Sequence, residues 1–312
     1  MKYINELRDG EQVNGVYFCK VKNVLKTKVG KSYYALTLQD KTGVVDAKIW
    51  ELNNGIEHFE AMDYINVIGA VTMYQGNIQL NVTRVRKASE GEYDVKDFMP
   101  TSGRDLNEME KELKGYIASV ENKHLNMLLT KIFIEDKEFL KKFTMHSAAK
   151  SMHHGFIGGL MEHTLAVADT CDFLSKKYPM LNRDLVISGA LLHDIGKIDE
   201  LSAFPANDYT DDGQLLGHIY MGTVKVNDIA KNIPGFSDKL LTEVCHCILS
   251  HHGKLEYGSP KKPSLAEAIA INFADDCDAK LEALKELFDS NPTMPAYSKM
   301  LDNVVRRTEG IK

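Results

Sequence analysis

The sequence predicts a protein with two domains of different class, an all-β barrel followed by an all-α domain. Its 312 residues allow about two domains at roughly 150 residues each. Residues 13–87 alternate apolar and polar side chains between turn signals, which is the pattern of β-strands. From Asp105 onward, apolar residues recur every three or four positions, which is the pattern of helices with one buried face.

The composition places the chain among ordinary globular proteins. Hydrophobic residues make up 44% and charged residues 26% of the chain, close to the averages of about 45–50% and 25%. This excludes collagen-like and wholly disordered chains. The longest apolar stretch, residues 185–192, is too short for the ~20 residues of a membrane span. The N-terminal residues lack the apolar core of a secretory signal. We therefore expect a cytoplasmic protein with no membrane association.

Five strands are predicted in the first part of the chain, at residues 16–25, 33–40, 44–50, 64–74 and 78–85. Turn residues at 41–43 and 75–77 connect two pairs as hairpins, and a short helix is expected at 56–62. Five strands with one insertion after the third are the plan of the OB-fold, a small Greek-key barrel that binds oligonucleotides.

The domain boundaries follow from this pattern. We assign residues 1–88 to the barrel, the polar residues 89–104 to a linker and residues 105–312 to the helical domain. The first helices of that domain are expected at 105–117, 122–134 and 137–143, and helical segments continue to the C-terminus.

The barrel carries candidate residues for nucleic-acid binding. OB-folds stack bases on exposed aromatic side chains along a basic groove. The candidates here are Lys28, Lys31, Tyr33, Tyr34 and Tyr74. Because strand residues alternate between faces, one of the two adjacent tyrosines should face outward. An adaptor barrel that binds a protein is the alternative.

Histidines are unevenly distributed along the chain. Of 11, all but His58 and His124 lie between His146 and His252. His193 and Asp194 follow a helix that is apolar on nearly all sides, and Gly196 is expected to end that helix. Buried polar side chains need partners. A metal ion is one such partner, and a His–Asp hydrogen bond without metal is the other.

Other potential ligands occur at regular distances from this pair. His163 precedes it, and His218, His251 and Asp275 follow, with intervals of 24–33 residues between successive positions. Since such an interval spans a pair of helices, each ligand can come from a separate helix around one centre. Mixed imidazole and carboxylate ligands suit divalent ions such as Mn²⁺, Fe²⁺, Zn²⁺ or Mg²⁺.

This pattern resembles the HD-domain metal-dependent phosphohydrolase superfamily, in which a His, a His-Asp pair and a distant Asp bind metal. The match falls on His163, His193-Asp194 and Asp275. With the OB-like start, the chain length and the segment 148–160, nearly the whole chain resembles the YhaM-type 3′-to-5′ exoribonucleases. The resemblance implies a hydrolase that acts on single-stranded RNA, and on DNA as a further substrate, and that releases nucleoside monophosphates.

The resemblance also implies roles for individual residues. One divalent ion, with Mn²⁺ as first choice and Fe²⁺, Mg²⁺, Co²⁺ or Zn²⁺ as alternatives, would be held by His163, His193, Asp194 and Asp275. A second would be held by His218 and His251, with Asp194 as the bridge. Asp194, Lys197 and His252 are the catalytic candidates, and phosphate contacts are expected from Lys150, His153, His154 and Lys197. Asp276 and His252 are alternative ligands, and a homo-oligomer is allowed.

Two other functions compete with this interpretation. One is an HD phosphohydrolase of small nucleotides such as cyclic dinucleotides or (p)ppGpp. It would not need a strand-binding barrel, and the Gly-Tyr-Pro signature of one cyclic-dinucleotide class is absent near His218. The other is a non-catalytic nucleic-acid-binding protein, which predicts eroded ligand positions, whereas here every one is filled. The net charge of −6 does not exclude RNA, because residues 1–90 hold 12 Lys and Arg against 10 Asp and Glu.

Overall fold

A computed structural model describes residues 2–150, 154–291 and 294–308 of the chain. It divides into two compact units, Met1–Thr101 and Ser102–Lys312. In the described ranges, none of the helices combines the length and the hydropathy that crossing a bilayer requires.

The first unit is a closed five-stranded barrel, as predicted. Its strands are β1 (Gln12–Lys26), β2 (Ser32–Asp40), β3 (Gly43–Ile49), β4 (Tyr64–Tyr74) and β5 (Asn77–Lys87). They follow the order β1-β2-β3-β5-β4, and β1 closes the barrel against β4. All pairings are antiparallel except β3 with β5. Inward side chains of all five strands form one core, which includes Tyr17, Leu38, Ile49, Ile65 and Leu80.

One expectation for this unit was wrong. Residues 56–62 form no helix, because both ends of the segment bond to strands. Ile56 forms a parallel bridge with Val85 of β5, the Glu57 N–H donates to the Val85 carbonyl, and the Met62 N–H donates to the Cys19 carbonyl of β1. The compact first unit extends to Thr101, into the segment expected as a linker. Tyr93 stacks on Tyr64, and Phe98 is buried against the same ring. Most of the expected linker therefore packs on the barrel.

The second unit is built from nine helices among the described residues. They are α1 (Leu106–Ala118), α2 (Lys123–Thr130), α3 (Lys137–Met145), α4 (Gly159–Lys177), α5 (Arg183–Leu192), α6 (Lys197–Glu200), α7 (Asp211–Lys231), α8 (Asp238–Ser250) and α9 (Ala266–Ser290). A π-helical turn, Lys131–Glu135, follows α2. Side chains of Asp105, Asn122, Asn182 and Ser237 cap α1, α2, α5 and α8 by accepting from N–H groups of the first turn.

The core of this unit is centred on α5. Residues 185–192 of that helix are all buried, which explains why its sequence is apolar on every side. Helices α2, α4, α8 and α9 pack around it. Near the C-terminus the expected helix is replaced by a short hairpin, β6 (Ala296–Ser298) with β7 (Asn303–Val305). Pro295, directly before β6, cannot donate a helical hydrogen bond.

Candidate metal centre

The end of α5 carries the two central residues of the site. His193 is the C-cap of α5, and His193 and Asp194 are at most 1% exposed. Gly196 follows, but not in the left-handed conformation that a glycine cap implies: its φ is −69°. A Cβ at this position would lie 2.1 Å from the His218 carbonyl oxygen. Gly196 is therefore required by the close approach of α7, which brings His218 next to Asp194.

The two carboxylate oxygens of Asp194 face two groups of imidazoles. Oδ2 lies 3.5 Å from Nε2 of His163 and 3.4 Å from Nε2 of His193. Oδ1 lies 3.4 Å from Nε2 of His218 and 3.6 Å from Nε2 of His251. Asp275 Oδ1 completes the first group, at 3.2 Å from His163 Nε2. The structure thus brings all six residues proposed as ligands from the sequence into one centre.

The far nitrogen of each imidazole is fixed by a hydrogen-bond acceptor. Nδ1–H groups of His193, His251 and His252 donate to the backbone carbonyls of Ala190, Ile248 and Tyr257, at 2.7–2.8 Å. His163 and His218 donate instead to the carboxylates of Asp278 and Glu200, at 2.6 and 2.9 Å. Because these acceptors cannot donate, each Nδ1 carries hydrogen and each Nε2 is left as the metal-binding atom.

Several of these inward atoms lack a partner within the described ranges. Asp194 Oδ1 and the Nε2 atoms of His218 and His251 are buried without a hydrogen bond. Asp194 Oδ2 has an ion pair with Lys197 Nζ at 2.6 Å. Each buried polar atom without a partner costs about 1–3 kcal/mol. A divalent cation would accept the lone pairs of all these oxygen and nitrogen atoms at once, so the donor set fits such an ion. His163, His193 and Asp275 could hold one ion, and His218, His251 and His252 another.

The charges of the site also favour a cation. Burial by itself raises the pKa of Asp194, but the charge of Lys197 and the nearby imidazoles outweigh it and hold that pKa well below its usual value. Burial lowers the pKa of His251 well below its usual range, which keeps its Nε2 lone pair free. Burial also opposes protonation of His163, yet the hydrogen bonds that its ring donates to the carboxylates of Asp275 and Asp278 raise its pKa to about 9. The carboxylates around His163 therefore stabilise positive charge, as a proton or as a metal ion.

A cleft of about 200 Å³ opens beside these residues. Lys197 and His252, two of the catalytic candidates, lie on its wall. Asn272 supports the wall by donating from Nδ2 to the His251 carbonyl at 2.7 Å. The complete lining is Ala148, His163, Lys197, His252, Tyr257, Asn272, Asp275, Asp276 and Ala279.

Two of the expected phosphate-binding residues are directed elsewhere. Lys150 forms an ion pair with Asp208 at 2.5 Å, and it is not part of the cleft lining. His154 is buried and donates to Asp278. Its partner could not be foreseen, because Asp278 lies on α9, 124 residues further along the chain. His153 lies outside the described residues.

The sequence reasoning also missed Asp278 and Glu200, the carboxylates behind His163 and His218. For Asp278 a signal existed, since residues three apart share a helix face and Asp275 was already a candidate. Glu200 offered no such signal, because its contact with His218 spans 18 residues across two helices.

On the barrel, Tyr33 and Tyr34 face opposite ways. Tyr34 packs against the core beside Phe59. Tyr33 stacks on Trp50, with ring centroids 4.6 Å apart, and Trp50 donates from Nε1 to Asn81 Oδ1 at 3.1 Å. Trp50, which was also among the aromatic candidates in the sequence, is 44% exposed. Tyr74, Lys28 and Lys31 are exposed.

Comparison with known proteins identifies the class of the helical unit. Residues 160–280 match the family model of the HD domain, so the helical unit is an HD domain that follows an OB-type barrel. Curated relatives match most of the chain. A 3′-5′ exoribonuclease YhaM of Geobacillus sp. (strain WCH70) is 36% identical over 88% of this chain and 84% of the relative. The protein of that name from Bacillus subtilis (strain 168) is 34% identical over 88% of this chain and 87% of its own. The chain belongs to the YhaM family of 3′-5′ exoribonucleases, which confirms the resemblance seen in the sequence.

Two solved structures are similar to parts of the chain. The second OB-fold domain of replication protein A from Methanococcus maripaludis is 19% identical and covers 30% of this chain and 98% of its own, with a TM-score of 0.23. The HD domain of the phosphodiesterase PgpH from L. monocytogenes is 20% identical and covers 50% and 82%, with a TM-score of 0.30. The strand order defines the barrel, and the family match over residues 160–280 defines the HD domain.

Proposed function

We propose that this protein is a divalent-metal-dependent 3′-to-5′ exonuclease that hydrolyses single-stranded RNA to nucleoside monophosphates. The observation that carries the proposal is Asp194, whose two oxygens face two groups of inward imidazole nitrogens beside an open cleft. The names of the relatives support the direction of degradation and the choice of RNA. The free state of all the described cysteines supports a cytoplasmic location.

The ions would be held by residues that the structure places together. His163, His193, Asp194 and Asp275 suit one ion, and His218, His251 and the shared Asp194 suit a second, with His252 beside it. Mixed nitrogen and oxygen donors suit Mn²⁺, Fe²⁺, Zn²⁺ or Mg²⁺, and the family resemblance makes Mn²⁺ the first choice. A bound divalent ion would neutralise the phosphodiester and lower the pKa of water.

Residues of the cleft would act on the substrate directly. Lys197 places one ammonium group at the cleft wall, next to Asp194, where it would contact a non-bridging phosphate oxygen. Burial lowers the pKa of His252, and its Nδ1–H is bonded to Tyr257. His252 would therefore be neutral near pH 7 and would accept a proton at Nε2, so it would act as a base or a ligand and not as a cation for phosphate.

The cleft and the barrel would each contact the strand. The cleft of about 200 Å³ beside the metal centre would take the scissile phosphate. Tyr33 and Trp50 on the barrel would stack on bases further along the strand.

The experiment that tests this function uses single-stranded RNA labelled at its 5′ end. Purified protein with Mn²⁺ should produce a descending ladder of labelled products, because nucleotides are lost from the 3′ end. The same protein should act more slowly on a cyclic dinucleotide, and single-stranded DNA in parallel measures sugar selectivity. RNA that stays intact with Mn²⁺, Mg²⁺, Fe²⁺ and Co²⁺ would refute the proposal, and rapid hydrolysis of the cyclic dinucleotide would favour the small-nucleotide alternative.

A further inference from the structure

We propose that Asp278, together with His154, is a positioning pair that orients His163 and strengthens its binding of the metal ion. The inference rests on the metal centre of the proposed function. It assigns a role to a carboxylate that is absent from the predicted ligand set and to a histidine that the sequence suggested for phosphate binding.

The geometry of Asp278 supports this role. Its Oδ2 accepts hydrogen bonds from Nδ1–H of His163 at 2.6 Å and from Nε2–H of His154 at 2.9 Å. Asp275, one turn earlier on α9, lies at the other nitrogen of His163, 3.2 Å from Nε2. One helix therefore contacts the His163 ring at both nitrogens, and rotation of the ring would break both contacts.

A carboxylate in this position does more than a carbonyl. His193, His251 and His252 donate to backbone carbonyls, whereas His163 donates to a charged group. A carboxylate behind a ligand histidine fixes its tautomer and raises the basicity of the other nitrogen. We therefore expect Asp278 to make His163 Nε2 a stronger donor to the cation than a carbonyl partner would.

His154 carries two energetic costs that its bond to Asp278 offsets. Its φ is +61°, an uncommon conformation for a residue other than glycine. It is 2% exposed, and its Nδ1 is buried without a partner among the described residues. Its carbonyl accepts from the N–H of Ala148, a residue of the cleft wall, at 3.0 Å. His154 thereby connects that wall to Asp278 and holds the Asp278 carboxylate in place.

The test measures metal affinity directly and contains no RNA. Apoprotein is titrated with MnCl₂ by calorimetry for wild type, Asp278→Asn, His154→Asn and the control Asp172→Asn. Asn at 278 keeps the shape and removes the charge, and Asn at 154 tolerates positive φ. Asp172 is a matched carboxylate on α4, the helix that also carries His163. Its side chain is 14% exposed and forms an ion pair with Arg183 at 2.7 Å.

The expected result is a 10–100-fold rise in the Kd for Mn²⁺ in Asp278→Asn and a smaller rise in His154→Asn. Asp172→Asn should stay within twofold of wild type. At saturating Mn²⁺ the kcat of Asp278→Asn should return toward wild type, with KM for RNA unchanged. If Asp278→Asn does not fold, the Kd of His154→Asn for Mn²⁺ alone tests the inference.

A Kd within twofold of the Asp172→Asn control in the folded variants overturns the inference. If wild type binds Mn²⁺ but cleaves no RNA, the proposed function fails while this inference stands. If wild type binds no Mn²⁺, both fail.

Discussion

Replacing Gly196 by Ala tests whether the close approach between the end of α5 and α7 builds the site. The backbone of Gly196 has φ −69°, which any residue adopts, so the substitution causes no strain of its own. The strain comes from space: the new Cβ would lie 2.1 Å from the His218 carbonyl oxygen and 2.7 Å from the Gly222 nitrogen. Both atoms belong to the backbone, and neither can move as a side chain can.

The size of the effect follows from these distances. Real Cβ atoms essentially never come closer than 3.0 Å to such atoms, so the His218 carbonyl must move by about 0.9 Å, the difference between 3.0 and 2.1 Å. Overpacking costs about 1–3 kcal/mol, and removing a glycine returns about 0.5–1 kcal/mol. We expect a net loss of about 0–2.5 kcal/mol in the free energy of unfolding. Because a 1 Å displacement can cost about 100-fold in rate, kcat should fall by that order.

The assay is urea unfolding followed by far-UV circular dichroism, with Mn²⁺-dependent RNA hydrolysis measured in parallel. Gly115→Ala is the matched control. Gly115 lies inside α1, where an added Cβ meets no atom within 4 Å. That variant should gain about 0.5–1 kcal/mol of stability and keep full activity. A Gly196→Ala protein with wild-type stability and wild-type kcat would refute the close approach and its role in placing His218.

Other predictions concern the metal and the strand. Asp194→Asn should abolish hydrolysis while RNA affinity, measured by fluorescence anisotropy, stays within twofold; retained cleavage would contradict the shared role of Asp194. Trp50→Ala should weaken RNA binding by about 1–3 kcal/mol and leave kcat at saturating RNA unchanged. Phe173→Ala, which removes an exposed aromatic side chain of the helical unit, should leave RNA binding unchanged. Equal RNA affinities of Trp50→Ala and wild type would rule out stacking at Trp50. The double variant Lys28→Ala and Lys31→Ala should reduce the salt slope of RNA binding by about 1.4, at roughly 0.7 per contact, and an unchanged slope would exclude both lysines. Mn²⁺ at 100 times its Kd should stabilise the protein by about 2.7 kcal/mol, seen as a higher Tm than in EDTA; equal Tm values would argue against a bound ion.

Much of the fold was predictable because its signals are local. Alternation of apolar residues located the five strands to within a few residues at most ends, and the fully apolar run 185–192 identified the buried α5. The helix expected at 56–62 was wrong, because the backbone N–H groups of Glu57 and Met62 donate to β5 and β1, strands from elsewhere in the chain. The packing of the expected linker on the barrel could not be foreseen for the same reason, since Tyr93 and Phe98 contact Tyr64, which lies on β4.

The sequence by itself determined which residue types could bind a metal and which family pattern they follow. The sequence alone shows the adjacent pair His193-Asp194 and the regularly spaced His163, His218, His251 and Asp275. Only the tertiary structure decided which imidazole nitrogen faces inward, that Asp278 and Glu200 lie behind two of the ligand candidates, and that Gly196 serves a close contact and not a helix cap. These features depend on hydrogen bonds and approach distances of about 2–4 Å between residues far apart in the chain, and no local pattern encodes such distances.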